Sequence, residues 1–113
     1  MCAGLLAELY ENSGGRVQLH GKPDPLMYRR AHALAQQQLD KTIEKNKILM
    51  VGDSLATDIK GANAYEIDSL MVLMGVHEST LLPYWGQGDI FMKQLSILTN
   101  SYHATPTYVV SGF

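Results

Sequence analysis

At 113 residues the chain is read as one domain, long enough for a core of its own but small for a doubly wound enzyme. Hydrophobic residues make up 46% and charged residues 18%, the balance of a globular chain rather than a disordered one. The net charge of -2, with no block of like charges, points to neither nucleic acid nor an anionic membrane surface as a partner. Cys2 is the only cysteine, which excludes an internal disulfide and fits a reducing compartment, so a cytoplasmic location is expected. No apolar run approaches the ~18 residues of a membrane span. Met1 to Tyr10 lacks a basic segment and carries Glu8, so it is not read as a signal peptide.

In chain order, Leu5, Leu6, Leu9 and Tyr10 recur at helical spacing and predict a short helix over 3–12, ended by Asn12-Ser13-Gly14-Gly15. Arg16 to His20 reads as a strand, with Val17 and Leu19 on one side. In Gly21-Lys22-Pro23-Asp24-Pro25 the prolines keep the preceding residues extended, Asp24 suits an N-cap, and Pro25 suits the first helical position. The helix is expected to run to about Leu39, burying Met27, Ala31, Leu34 and Gln38. Lys22 thus stands on a stiff loop just before a helix. A Gly-x-x-x-x-Gly-Lys-[Ser/Thr] phosphate loop is excluded, because Gly15 and Gly21 lie one residue too far apart and Pro23 occupies the Ser/Thr position. Taken alone, such a lysine reads as solvated surface charge.

Ile48-Leu49-Met50-Val51 then runs without alternation into Gly52-Asp53-Ser54-Leu55-Ala56-Thr57-Asp58. A short continuous apolar run predicts a strand buried on both faces of a parallel sheet. Gly52 permits a sharp turn, and Asp53 falls at the carboxyl end of the strand, the edge where open α/β sheets bind ligands. A carboxylate there suits a hard cation such as Mg2+, or equally caps the following helix. Ser54 or Thr57 is expected to cap a helix over 57–65, with Ile59 and Ala62 inward. Asp68 to Gly75 predicts a second buried strand, 76–88 an irregular stretch, 89–99 a helix, and Tyr108-Val109-Val110 a last strand. The alternation predicts an α/β fold: a Rossmann-like parallel sheet with helices on both faces.

His20, His32, His77 and His103 show no metal-ligand spacing and are read as structural or surface groups. His77 is the exception to watch, because it follows the strand end at Met74-Gly75. Cys2 has no evident histidine partner for nucleophilic chemistry. Tyr84 and Trp85 are read as packing residues.

Gly21-Lys22-Pro23 before a helix, followed about thirty residues later by Val51-Gly52-Asp53-Ser54-Leu55-Ala56-Thr57-Asp58-Ile59, resembles the C-terminal half of a haloacid dehalogenase-superfamily hydrolase of class IIA. Gly61-Ala62-Asn63-Ala64, Leu70 to Val76 and Pro106 to Val110 continue the resemblance. It implies a Mg2+-dependent phosphatase acting on small phosphate esters. Lys22 would neutralise the attacking aspartate and the transferring phosphoryl group, Asp53 would ligate Mg2+, and Asp58 would hold the metal shell or Lys22. The family's nucleophile lies in an Asp-x-Asp-Gly motif, and no Asp-x-Asp occurs in these 113 residues. That motif, the Thr/Ser motif and the substrate-selecting cap are expected upstream of Met1. Residues 1–113 are therefore read as part of such a core. The alternative is a catalytically silent remnant that binds a partner or an ion. A receiver-like signalling domain fits poorly, lacking an acidic pair on earlier strands. Glu66 stands where the family has glycine, and would cost on the order of 1 kcal/mol if its φ is positive. With its family neighbour absent, the Ile48–Val51 strand leaves an open apolar edge, so self-association is expected.

Overall fold

The computed structural model describes residues 22–113. The predicted helix over 3–12, the turn at 12–15 and the strand over 16–20 lie outside the described residues, as do Cys2 and His20.

Helix α1, Pro25–Leu39, starts where local chemistry places it. The Asp24 carboxylate accepts from Leu26 N at 2.9 Å, and Pro25 takes the first position, where its missing N–H is no loss. The face it buries is not the predicted one. Met27, Ala31, Leu34 and Gln38 are exposed, whereas Tyr28 is buried and His32, Ala35 and Gln36 are half-buried. The inward stripe is rotated by one position because Tyr28 and His32 bury large rings whose polar tips find partners. Tyr28 Oη donates to the Asp58 carbonyl at 2.9 Å, and His32 Nδ1 meets Tyr65 Oη at 2.8 Å. Gln36 Oε1 accepts from Ile43 N at 2.9 Å.

Strands β1 (Leu49–Gly52), β2 (Asp68–Val72) and β3 (Tyr108–Val110) form a parallel sheet in the order β1-β2-β3. Val51 pairs with Leu70, and Met71 with Val109. The first crossover is a π-helical turn, Leu55–Ile59, running into α2, Lys60–Tyr65. The second comprises α3 (Glu78–Leu81), a 3₁₀ turn and α4 (Asp89–Tyr102). The expected α/β parallel sheet is therefore what forms. Its core joins Met71 and Leu73 of the sheet region to Leu55, Ile59, Leu81, Phe91 and Leu95 of the crossovers. A second cluster, Tyr28, Ala62, Tyr65 and Ile67, seats α1 and α2 beside Ile48 and Met50.

Burial alternates along β2: Ser69 and Met71 are buried, while Asp68, Leu70 and Val72 are exposed or half-buried. The same alternation corrects the expectation that Ile48–Val51 is buried on both faces. Leu49 and Val51 are 47% and 45% exposed, and only the Met50 side is covered. The reason is position. Among the described residues β1 is an edge strand bonded to β2 alone, and none of them covers the Leu49/Val51 face.

Two further boundaries moved. Residues 76–88, expected to be irregular, contain α3 and the 3₁₀ turn because Leu81 is drawn fully into the core. Helix α4 extends three residues past the expected end, burying Phe91, Leu95 and Thr99 and leaving Ile90 exposed. Glu66 ends α2 at φ 63°, in the left-handed region, with its N–H bonded to Ala62 O and Asn63 O. The expected cost of about 1 kcal/mol is therefore present in the fold. No helix among the described residues is long and apolar enough to cross a membrane.

Candidate functional site

The three candidate residues meet at the carboxyl end of β1. Gly52 ends the strand, and a Cβ there would overlap the Asp58 side chain, so only glycine lets the chain pass this close. Asp58, on the π-helical turn, is 4% exposed. Its Oδ2 accepts from Asp53 N at 3.1 Å and Ser54 N at 3.2 Å. Its Oδ1 pairs with Lys22 Nζ, reaching in from the loop ahead of α1. Tyr28 Oη holds the Asp58 carbonyl from the other side. One acid thus anchors two successive backbone N–H groups and a lysine.

Asp53 is placed differently. Its Oδ2 accepts from Val76 N at 3.1 Å, and its Oδ1 has no hydrogen-bond partner among the described residues. A Cβ on Gly75 would overlap this carboxylate. Asp53 therefore does not cap the helix that follows it. Asp58 reaches back to the N–H groups instead, in the manner of the distal acid of a capping box. The structure brings Lys22 and Asp58 into contact, and ties Asp53 to Asp58 through the Asp53 backbone N–H.

The charges are unevenly offset. The Asp58 carboxylate faces the Lys22 ammonium and two N–H dipoles, whereas that of Asp53 has one N–H. An uncommitted carboxylate oxygen at a strand end suits a hard divalent cation, which takes one or two carboxylates and completes its shell with water and phosphate oxygens. Among the described residues no cluster of three or more His, Cys, Asp or Glu converges on one point, so the remaining ligands would come from such oxygens or from beyond these residues.

Two residues with a place in the site were not identified as members of it from the sequence. Tyr28 carries no motif signal. Burial, then the Asp58 charge, pushes its phenol up to about 12, so it remains a proton donor at neutral pH. His77 is buried, and its Nε2 accepts from Leu55 N at 3.1 Å. Burial pushes its imidazole below the usual value, partly countered by the Asp53 carboxylate, which favours the neutral, lone-pair-bearing ring. His32 is a packing residue bonded to Tyr65, and His103 caps α4 at φ 52°. Trp85 stands edge-on to Phe91 at 5.3 Å, a packing contact. The apolar cavity lined by Ala31, Ala35, Ile43 and Met50 includes none of Lys22, Asp53 and Asp58.

A family model described as HAD-hydrolase-like matches residues 19–112. The D-glycerol 3-phosphate phosphatase of Mycobacterium tuberculosis is 37% identical over 75 residues, covering 66% of this chain and 19% of that protein. The structure of a possible sugar phosphatase of the HAD superfamily from Cytophaga hutchinsonii is 30% identical. It covers 96% of this chain and 34% of its own, with a TM-score of 0.67. That of a glycerol phosphate phosphatase from Mycobacterium tuberculosis, in complex with magnesium, is 29% identical. It covers 95% of this chain and 26% of its own, with a TM-score of 0.54. The chain spans about a fifth of the length of the curated relative and 26% to 34% of these two solved ones.

Proposed function

The chain belongs to the HAD-hydrolase-like family, and from that premise we propose that it contributes the lysine and acidic motifs of a Mg2+-dependent phosphatase acting on a small phosphate ester. Phosphoryl transfer needs positioning and charge neutralisation more than covalent help. Lys22 presents its ammonium to the transferring phosphoryl group, and Asp58 sets where that ammonium sits. Asp53 would hold Mg2+ through the carboxylate oxygen that has no hydrogen-bond partner among the described residues. When bound, the ion offsets the charge of the phosphoryl oxygens. The proposed place of action is the cytoplasm, on the evidence of a single cysteine. The observation that carries the reading is the Lys22–Asp58 pair beside an Asp53 carboxylate half-committed to Val76 N.

The phosphoryl acceptor and the substrate-selecting part are proposed to come from outside these 113 residues, which contain no Asp-x-Asp sequence. Titration calorimetry with Mg2+ tests the metal assignment. The chain is expected to bind Mg2+, and Asp53→Asn to abolish binding while leaving the circular dichroism unchanged. Equal affinity in the variant would overturn the assignment.

The edge of β1, bonded only to β2 among the described residues, supports self-association of the isolated chain through strand pairing. Light scattering is expected to report a dimer or larger species. A constant mass near 12.5 kDa across micromolar concentrations would exclude it.

A further inference from the structure

Three successive backbone N–H groups, those of Asp53, Ser54 and Leu55, leave the end of β1 and open the π-helical turn. The first N–H groups of a helix have no acceptor within it and must find one elsewhere. Asp58 takes the first two. The third goes to His77 Nε2, across 22 residues of sequence. Ser54, at the cap position, makes no side-chain cap bond.

His77 is placed to do this with little freedom. It is 5% exposed, and its ring stands edge-on to Tyr102 at 5.3 Å and 71°. Its neighbour Val76 donates to Asp53 Oδ2. The dipeptide Val76-His77 therefore grips the acid loop twice, at the Asp53 carboxylate and, two residues on, at the Leu55 N–H.

We infer that His77 is a positioning residue of the divalent-cation site: by accepting from Leu55 N–H it fixes the 53–55 backbone, and with it the direction in which the free oxygen of Asp53 points. The inference rests on the reading of Asp53 as a metal ligand. An apolar ring of similar size would fill the same space against Tyr102 and leave the Leu55 N–H buried without an acceptor. The loop would then relax to recover a partner, turning the carboxylate with it. Partners that orient a ligand in this way are worth roughly 10–100-fold in metal affinity.

The test is Mg2+ calorimetry on the 113-residue chain, its Asp53→Asn variant, and two variants of the histidine. His77→Phe keeps a ring against Tyr102 and removes the acceptor. His77→Gln restores an acceptor without the ring. The expected result is affinity weakened about tenfold or more in His77→Phe, with faster hydrogen exchange at the Leu55 amide, and recovery of both in His77→Gln. Wild-type affinity in His77→Phe, with Asp53→Asn still inactive in binding, overturns the inference alone. No Mg2+ binding by the unaltered chain overturns the Asp53 reading and this inference with it. Imidazole nitrogen shifts of the unaltered chain need no substitution and cover the case in which His77→Phe does not fold. A neutral ring protonated at Nδ1 is expected, and a proton on Nε2 overturns the inference.

Discussion

Asp58→Ala is expected to lower the stability of the chain by about 2–6 kcal/mol, the sum of leaving two part-buried backbone donors without an acceptor at roughly 1–3 kcal/mol each. Those donors are Asp53 N and Ser54 N, both of which use Asp58 Oδ2. The loss of the Lys22 pair adds little, because the lysine side chain is 47% exposed and water replaces much of its partner. Asp58→Asn, which retains one side-chain oxygen, is expected to fall between the two. Urea unfolding read by circular dichroism measures all three proteins. A change below about 1 kcal/mol in Asp58→Ala would mean that the loop finds other acceptors and that Asp58 does not organise it.

Gly61→Ala is expected to destabilise by about 1–3 kcal/mol, the usual cost of forcing an extra group into a packed core. Helix propensity alone predicts the opposite sign, since alanine in a helix interior is favoured over glycine by up to about 1 kcal/mol. Tertiary packing reverses it. A Cβ on Gly61 would overlap the Tyr28 ring, which lies across α2 to reach the Asp58 carbonyl. The sign should therefore depend on Tyr28. In a Tyr28→Ala background the same substitution is expected to be neutral or stabilising, giving a double-mutant coupling above 1 kcal/mol. Additive effects would show that the ring and the glycine do not determine one another. The pair also links the lysine loop to the acid loop, because Tyr28 stands six residues after Lys22, on the helix that follows the lysine's loop.

Much of this architecture was legible in short stretches. Asp24-Pro25 set the start of α1 because a cap and a first-turn proline act within three residues of each other. Ile59 and Ala62, predicted inward, are fully buried. The parallel sheet followed from alternating strand and helix patterns, and the family resemblance carried by Gly21-Lys22-Pro23 and Val51 to Ile59 is borne out by the family match. The side on which α1 packs was not legible. Apolarity ranks Met27 and Leu34 above Tyr28 and His32, and only the partners Asp58, Tyr65 and Ile43, brought in from elsewhere, reverse that ranking.

By itself, then, the sequence determined what depends on neighbours a few residues apart: the cap of α1, the strand carrying Gly52-Asp53, and the family. Only the tertiary structure decided how the acids divide their work. The bonds from Asp53 N and Ser54 N to Asp58 span only five and four residues. Those that place Asp58 against Lys22 and Tyr28 span 36 and 30, and the one that takes up the other acid, from Val76 N to Asp53, spans 23. A donor at that separation leaves no mark on local spacing. Its placement is settled when the sheet and its crossovers pack, because every backbone N–H buried at the end of β1 must then find an acceptor.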